Sequence, residues 1–316
     1  MNQHQLPFAH QEPPAESLNG KLTPVFNIRG AVEQVLDQYQ KAITGEDHNL
    51  GLSTGFRQLD RMLGGLSPGL HMLASRPNMG KTTLMLNIAE HMSVELKVPC
   101  LVFSCDLPAY QIVRRMVFAR ARQSAFAPPN TDMVPDKSKQ IDLKGAASEI
   151  AESPLYIEDS FDFSIESLRS IATRYRRDAG IGFIAIDHLH LLMLKPMMIG
   201  LSREREVVEI TAQLKSLARE IHIPILLLTD LSRKPEHRRG GVPRITDFHY
   251  GGMVELADTI ALLSRPEYYA DTDEEHDALH GKAELILCKN PAGSSGDVEL
   301  HFNPMLLRFE EIEPGV

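Results

Sequence analysis

LHMLASRPNMGKTT, residues Leu70 to Thr83, is the stretch that decides the fold. An apolar run ends at Ser75, a loop holding Pro77 and Gly80 follows, and Lys81, Thr82 and Thr83 open a segment of helical apolar periodicity. The order is strand, phosphate loop, helix. Backbone N–H groups at a helix N-terminus offer partial positive charge to an anion. Lys81 adds a full charge, and the Thr82 hydroxyl stands where it helps hold Mg²⁺. Gly80 lets the backbone approach phosphates with no Cβ in the way. The nucleotide-binding loop is therefore read as Ser75, Arg76, Pro77, Asn78, Met79, Gly80, Lys81, Thr82 and Thr83. The common pattern has a glycine where this chain has Ser75. An ordinary strand-to-helix turn could also carry a GKT triplet, so the rest of the chain must decide.

The 316 residues, 43% of them hydrophobic, suit one large domain or two small ones with ample core. Cys100, Cys105 and Cys288 lack metal-ligand spacing and read as buried thiols in a reducing compartment. No apolar run is long enough to span a membrane, and the N-terminus has no secretory-signal pattern, so the expected location is the cytoplasm. A net charge of −9 argues against indiscriminate nucleic-acid binding but leaves room for a local basic surface. Three clusters could supply one: Arg114, Arg115, Arg120 and Arg122; Arg169, Arg174, Arg176 and Arg177; and Arg233, Lys234, Arg238 and Arg239. The ordinary alternative for each is a solvated helix face or loop.

Residues 1–26 are polar and aperiodic and read as a disordered tail. Ile28, Val32, Val35, Leu36 and Tyr39 then recur at helical spacing, ahead of a polar break at Thr44–Asn49. From Gly51 onward, short apolar strands alternate with helices. The expected strands are Leu70–Ser75, Cys100–Ser104, Leu155–Glu158, Phe183–Asp187, Ile225–Thr229, Thr259–Leu263, Ala283–Lys289 and Val298–Phe302. A helix is expected over Glu204–Glu220, with its stripe at Val207, Ile210, Leu214, Leu217, Ala218 and Ile221. This alternation predicts an α/β fold, a mostly parallel sheet covered on both faces, with the last two strands forming an antiparallel hairpin.

Ligands of such sheets sit at the carboxyl ends of the strands. Asp106, Asp187 and Asp230 all fall there. Asp187, after four apolar residues, is the natural Mg²⁺ partner, unless it only caps the following loop. Asp106 could polarise an attacking water, cap the helix that begins near Pro108, or both.

Several stretches taken in order resemble the DnaB-type replicative helicases: STGFRQLDRMLGGLSPG from Ser53, ASRPNMGKT from Ala74, FSCDLP from Phe103, IDHLHLL from Ile186, LKSLAREIHIP from Leu214 and LTDLSR from Leu228, with FNP at Phe302 and RF at Arg308. That family's phosphate loop itself usually lacks the first glycine. The resemblance implies a RecA-like P-loop NTPase core over 45–316, with 27–44 as a linker helix that docks on a neighbouring subunit. It implies ATP and Mg²⁺, a ring that is usually a hexamer, single-stranded DNA in its channel, and other replication proteins as partners. It assigns Lys81, Asp106, Asp187, Asp230 and Lys289 to catalysis, Thr82 and Asp187 to the metal, and Lys195, Arg203 and Arg205 to DNA. It also implies that the family's N-terminal collar domain is replaced here by the short tail.

The chain departs from the family at three catalytic positions. Asp106 stands where the family has a water-activating glutamate, drawing the carboxylate back by about 1.5 Å. Asp230 stands where a glutamine senses the γ-phosphate. Pro291 of KNPAG stands where an arginine finger is expected, a group worth about 10³–10⁵ in rate. Lys289 remains. Three readings follow: an ATP-dependent helicase motor; an ATP- and DNA-binding paralogue with weak or no hydrolysis that regulates or assembles a partner complex; and another RecA-like ATPase such as a recombinase.

Overall fold

The computed structural model describes residues 51–124, 137–160, 162–194 and 202–312, together with Ile28, Gly30, Val32 and Leu36. The chain divides into two units, Met1–His48 and Asn49–Val316. In the first, Ile28, Gly30, Val32 and Leu36 are helical, and Ile28, Val32 and Leu36 are exposed at intervals of four residues. The rest of the expected tail and linker helix lies outside the described residues.

The second unit opens with a short lead-in pinned by one carboxylate. Asp60, on helix α1 (Arg57–Leu63), accepts from Thr54 N at 2.8 Å, Thr54 Oγ1 at 2.7 Å and Ser53 Oγ at 2.6 Å. Next come β1 (Gly69–Ser75), α2 (Lys81–Glu90), β2 (Cys100–Ser104), α3 (Ala109–Arg120), α4 (Lys137–Ala151), β3 (Leu155–Glu158) and α5 (Ile165–Asp178). They lead to β4 (Phe183–Asp187), α6 (Arg203–Ile221), β5 (Pro224–Asp230), α7 (Gly252–Leu256), β6 (Thr259–Ser264) and α8 (Asp273–Leu279). The chain closes with β7 (Lys282–Lys289), β8 (Gly296–Asn303) and β9 (Arg308–Glu311).

These strands form one sheet in the order β3-β2-β4-β5-β1-β6-β7-β8-β9. Pairings from β3 to β6 are parallel, and those from β6 to β9 are antiparallel. Strands β1, β2 and β4 are buried along their whole length because both faces are covered. Alternate residues serve different cores. Leu73, Val102 and Ala185 pack with α2, whereas Met72, Leu101, Phe103 and Ile186 pack with α5 and α6. The α6 stripe predicted from sequence is fully buried. All eight expected strands form, with ends shifted by no more than two residues. The ninth, β9, is a four-residue edge strand of mostly charged residues, too short to give an alternation.

Each arginine cluster is partly neutralised. Arg120 bonds Glu90, Glu95 and Glu149; Arg169 pairs with Glu220, Arg177 with Asp178, and Arg238 with Asp247.

Candidate active site

Sheet register gathers the site. The parallel pairing of β1 with β5 sets Ser75 beside Asp230, and that of β2 with β4 sets Ser104 beside Asp187. The phosphate loop leaves β1 and turns into α2 through Gly80, whose φ is +98°. A Cβ there would also stand 2.9 Å from Phe309 Cζ. Glycine is thus required by backbone conformation and by an aromatic ring behind the loop, two reasons beyond the approach of a phosphate. Met79 is buried in the core and anchors the loop, while Pro77 and Asn78 are exposed at its tip.

Lys81 is buried, and its Nζ donates to Asp230 Oδ1 at 2.7 Å, Ser75 Oγ at 3.1 Å and the Arg76 carbonyl at 3.3 Å. Arg76 is fastened to the loop after β5, by Nε to Glu236 Oε1 at 2.8 Å and Nη1 to the Leu231 carbonyl at 2.8 Å. Thr82 Oγ1 donates to Asp187 Oδ2 at 2.7 Å. Burial pushes the Asp187 carboxyl up from its ordinary value, with the Thr82 hydrogen bond pulling the other way. For Asp230, burial also acts upward, but the His188 and Lys81 contacts prevail and hold it below the usual carboxylate range.

Asp106 is exposed at the rim of the same cleft. It does not cap α3: Pro108 holds the N-cap position, and Asp159 Oδ2 accepts from Ala109 N at 2.6 Å. Lys289 points elsewhere within its own subunit. Its Nζ donates to the carbonyls of Val254, Glu255 and Ala257 at 3.0, 3.0 and 2.6 Å, capping the C-terminal end of α7. Arg203, in the first turn of α6, is tied to Glu206 at 2.6 Å and to the carbonyls of His190 and Leu192 at 2.9 and 3.1 Å. Arg205 is exposed, and Lys195 lies outside the described residues.

The cleft holds about 650 Å³, within the size range of small-molecule sites. Its lining adds residues that sequence reasoning missed: Arg115, His188, Arg265, Tyr268, Phe302 and Leu307. Arg265 is buried, lies 4.1 Å over the Phe302 ring and 4.7 Å over Tyr268, and bonds Glu267. His188 has a local signal as the residue after Asp187, Arg115 lies in one of the arginine clusters and Phe302 in the FNP stretch; Arg265, Tyr268 and Leu307 arrive through tertiary packing alone.

The donor set fits a phosphate chain and a hard cation. A helix N-terminus and an ammonium face one hollow, and a hydroxyl and a carboxylate sit together beside them. Among the described residues, no cluster of three or more His, Cys, Asp or Glu could hold a metal alone. Mg²⁺ in a phosphate site needs only one or two protein ligands.

Residues 51–311 match the family model described as the DnaB-like helicase C terminal domain. The chain belongs to that DnaB-like family. It is 35% identical over 294 residues to the replicative DNA helicase DnaB of Pasteurella multocida, covering 90% of this chain and 61% of that one. The replicative DNA helicase DnaB of Geobacillus stearothermophilus is 30% identical over 289 residues, covering 91% and 62%. The chain thus spans about three fifths of the length of these DnaB relatives. Among solved structures, one described as an ATPase domain superposes with a TM-score of 0.81 at 27% identity, covering 92% of this chain and 100% of that one. A DnaB-like replicative helicase, described with its interactions with primase, superposes with a TM-score of 0.77 at 26% identity, covering 89% and 66%. The DnaB-like fold is the RecA-like P-loop core expected from sequence, with its antiparallel strands at the C-terminal edge. No helix among the described residues is long and apolar enough to cross a membrane.

Proposed function

We propose that this chain is an ATP-dependent, DNA helicase-like motor acting on single-stranded DNA in DNA replication. The observation that carries the reading is the convergence of Lys81, the Thr82–Asp187 pair and Asp106 on one cleft at the N-terminus of α2. Lys81 and the helix N–H groups hold the phosphate chain. Thr82 and Asp187 would hold Mg²⁺, which offsets charge on the phosphate oxygens. Asp106 orients a water and takes its proton as the new O–P bond forms and the bond to the leaving ADP oxygen breaks.

Further copies of the chain complete the motor. The exposed stripe of Ile28, Val32 and Leu36 calls for an apolar partner, supplied in this reading by a neighbouring subunit of a ring, usually a hexamer. Lys289 would then exchange its carbonyls for the neighbour's nucleotide. Arg205 and Lys195 are the phosphate contacts we assign to DNA; Arg203 serves there only if it leaves Glu206. Other replication proteins are the remaining partners, and the cytoplasm is the expected setting.

A second reading is favoured by the 2.7 Å contact between Asp230 and Lys81 and by Pro291 at the finger position. It makes the chain an ATP- and DNA-binding paralogue with weak or no hydrolysis that regulates or assembles a helicase complex.

Steady-state ATP hydrolysis with and without single-stranded DNA separates the two. DNA-stimulated turnover that Lys81→Ala abolishes supports the motor. Tight nucleotide binding with turnover at background removes it and leaves the paralogue.

A further inference from the structure

Lys81 has no spare capacity in the structure as it stands. An ammonium has three protons, and four acceptors surround this one: Asp230 Oδ1 at 2.7 Å, Ser75 Oγ at 3.1 Å, the Arg76 carbonyl at 3.3 Å and the Ser75 carbonyl at 3.5 Å. Three are neutral, and only Asp230 brings a charge. To reach a phosphate, Lys81 must give up its strongest partner.

Asp230 is itself held from the other side. His188 Nε2 lies 3.5 Å from Asp230 Oδ2. An ionised carboxylate can only accept, so Nε2 is the donor. The other ring nitrogen, Nδ1, is buried without a partner among the described residues. Other imidazoles flank the His188 ring. His190 stands edge-on to it at 5.8 Å and is fixed by Thr229 Oγ1 at 3.2 Å, and His249 stands edge-on to His190 at 5.8 Å. A row of three rings therefore backs the carboxylate.

We propose that Asp230, fixed by His188, competes with phosphate for Lys81, and that this pair sets how tightly the cleft holds a nucleoside triphosphate. The inference rests on the nucleotide-binding reading above. A neutral side chain at 230 would offer hydrogen bonds without a competing charge. A carboxylate beside a polyanion opposes binding twice, by retaining Lys81 and by repelling the incoming phosphates. His188 limits the second effect. Once Lys81 has moved to phosphate, the contact with Nε2 keeps Asp230 turned away from it. His188 is thus a positioning residue that acts through Asp230.

The test is titration calorimetry of the intact chain with a non-hydrolysable ATP analogue and Mg²⁺, beside a thermal melt of each variant. Asp230→Asn is expected to tighten binding by about tenfold. His188→Ala is expected to weaken it by about threefold, with His188→Gln restoring most of the loss. In the Asp230→Asn background, His188→Ala should change affinity by less than about twofold, because the group it positions is no longer charged. Should Asp230→Asn not fold, Asp230→Gln tests the same charge. Unchanged or weaker binding by a folded Asp230 variant overturns the proposal, and so does an equal effect of His188→Ala in both backgrounds, which would mark the ring as packing alone. Binding by the unaltered chain without tightening in the variants sinks this inference only. No binding by the unaltered chain or by either Asp230 variant sinks the nucleotide reading and this inference with it.

Discussion

Thr82 donates a 2.7 Å hydrogen bond to Asp187 from the first turn of a helix to the end of a neighbouring strand. The pair brings two hard oxygen donors to one point beside Lys81. Asp187→Asn keeps the shape and removes the charge a divalent cation needs. We expect it to lower Mg²⁺-dependent nucleotide affinity by about tenfold or more, while leaving the weak binding seen in excess chelator nearly unchanged. Calorimetry with and without Mg²⁺ reads this directly. Equal losses in both conditions would show that Asp187 shapes the loop and does not bind metal.

The Asp60 carboxylate satisfies three donors of the lead-in, and the residue is buried. Removing it leaves the Thr54 amide and hydroxyl without their acceptor. Hydrogen bonds to charged groups contribute about 1.5–3 kcal/mol each, with strong non-additivity. Asp60→Ala is expected to cost about 3 kcal/mol in a denaturant titration. Ser53→Ala removes one contact of the three and should cost about 1 kcal/mol.

Glu284 on β7 faces Glu299 on β8 directly, with Asp297 close by on the same strand. Burial, then these two neighbours, push its carboxyl above its ordinary value of 4.5. The folded chain therefore binds this proton more readily than the unfolded one. By linkage the penalty is absent at low pH and grows as pH rises from about 4.5 through the raised value. Glu284→Gln should raise stability at pH 7 by about 0.2–1 kcal/mol and give no gain at pH 3. Thermal melts at the two pH values check the sign.

Much of the fold is legible in the sequence. Strands buried on both faces carry near-continuous apolar runs, so β1, β2, β4 and β5 announce themselves, and α6 shows its stripe. The site was legible where chemistry and chain proximity coincide, as in Gly80, Lys81 and Thr82. What sequence could not give was where a charge goes once the chain folds. The family resemblance assigns Lys289 to catalysis, and within its own chain it caps α7. The resemblance assigns Arg203 to DNA, and in the fold it is tied to Glu206 and two carbonyls. Asp106 had the spacing of a helix cap, but Asp159, further along the chain, took that role. Arg265 and Tyr268 reach the cleft from the segment after β6, far along the chain, and no local pattern marks them.

The cap made by Lys289 can be tested without any nucleotide. Three carbonyls at the end of a five-residue helix accept from one ammonium. Lys289→Met keeps the aliphatic stem and removes the donor. We expect a loss of about 1–2 kcal/mol, screened little by salt because the contacts are hydrogen bonds at short range. Faster amide exchange confined to the segment around α7 would locate the effect.

The catalytic departures are the most demanding test of the motor reading. Asp106 lines the cleft, is exposed and does not cap α3, so its carboxylate is available to a water. A glutamate there would carry the carboxylate about 1.5 Å further into the cleft. A misplacement near 1 Å can cost on the order of 10²-fold in rate. Pro291 sits in the exposed β7–β8 turn, which Asn290 pins to α1 through the Met62 carbonyl at 2.8 Å. That pin leaves residue 291 at the outer surface, where an arginine could meet a neighbouring copy without disturbing the core. Asp106→Glu together with Pro291→Arg is expected to raise DNA-stimulated turnover by about 10²-fold or more over the unaltered chain. The Pro291 change should act only in the assembled state. Its gain should therefore vanish on dilution below the assembly concentration, whereas that of Asp106→Glu should persist. A double variant no faster than the unaltered chain would mean that these two positions do not limit hydrolysis and that other residues of this chain carry the reaction.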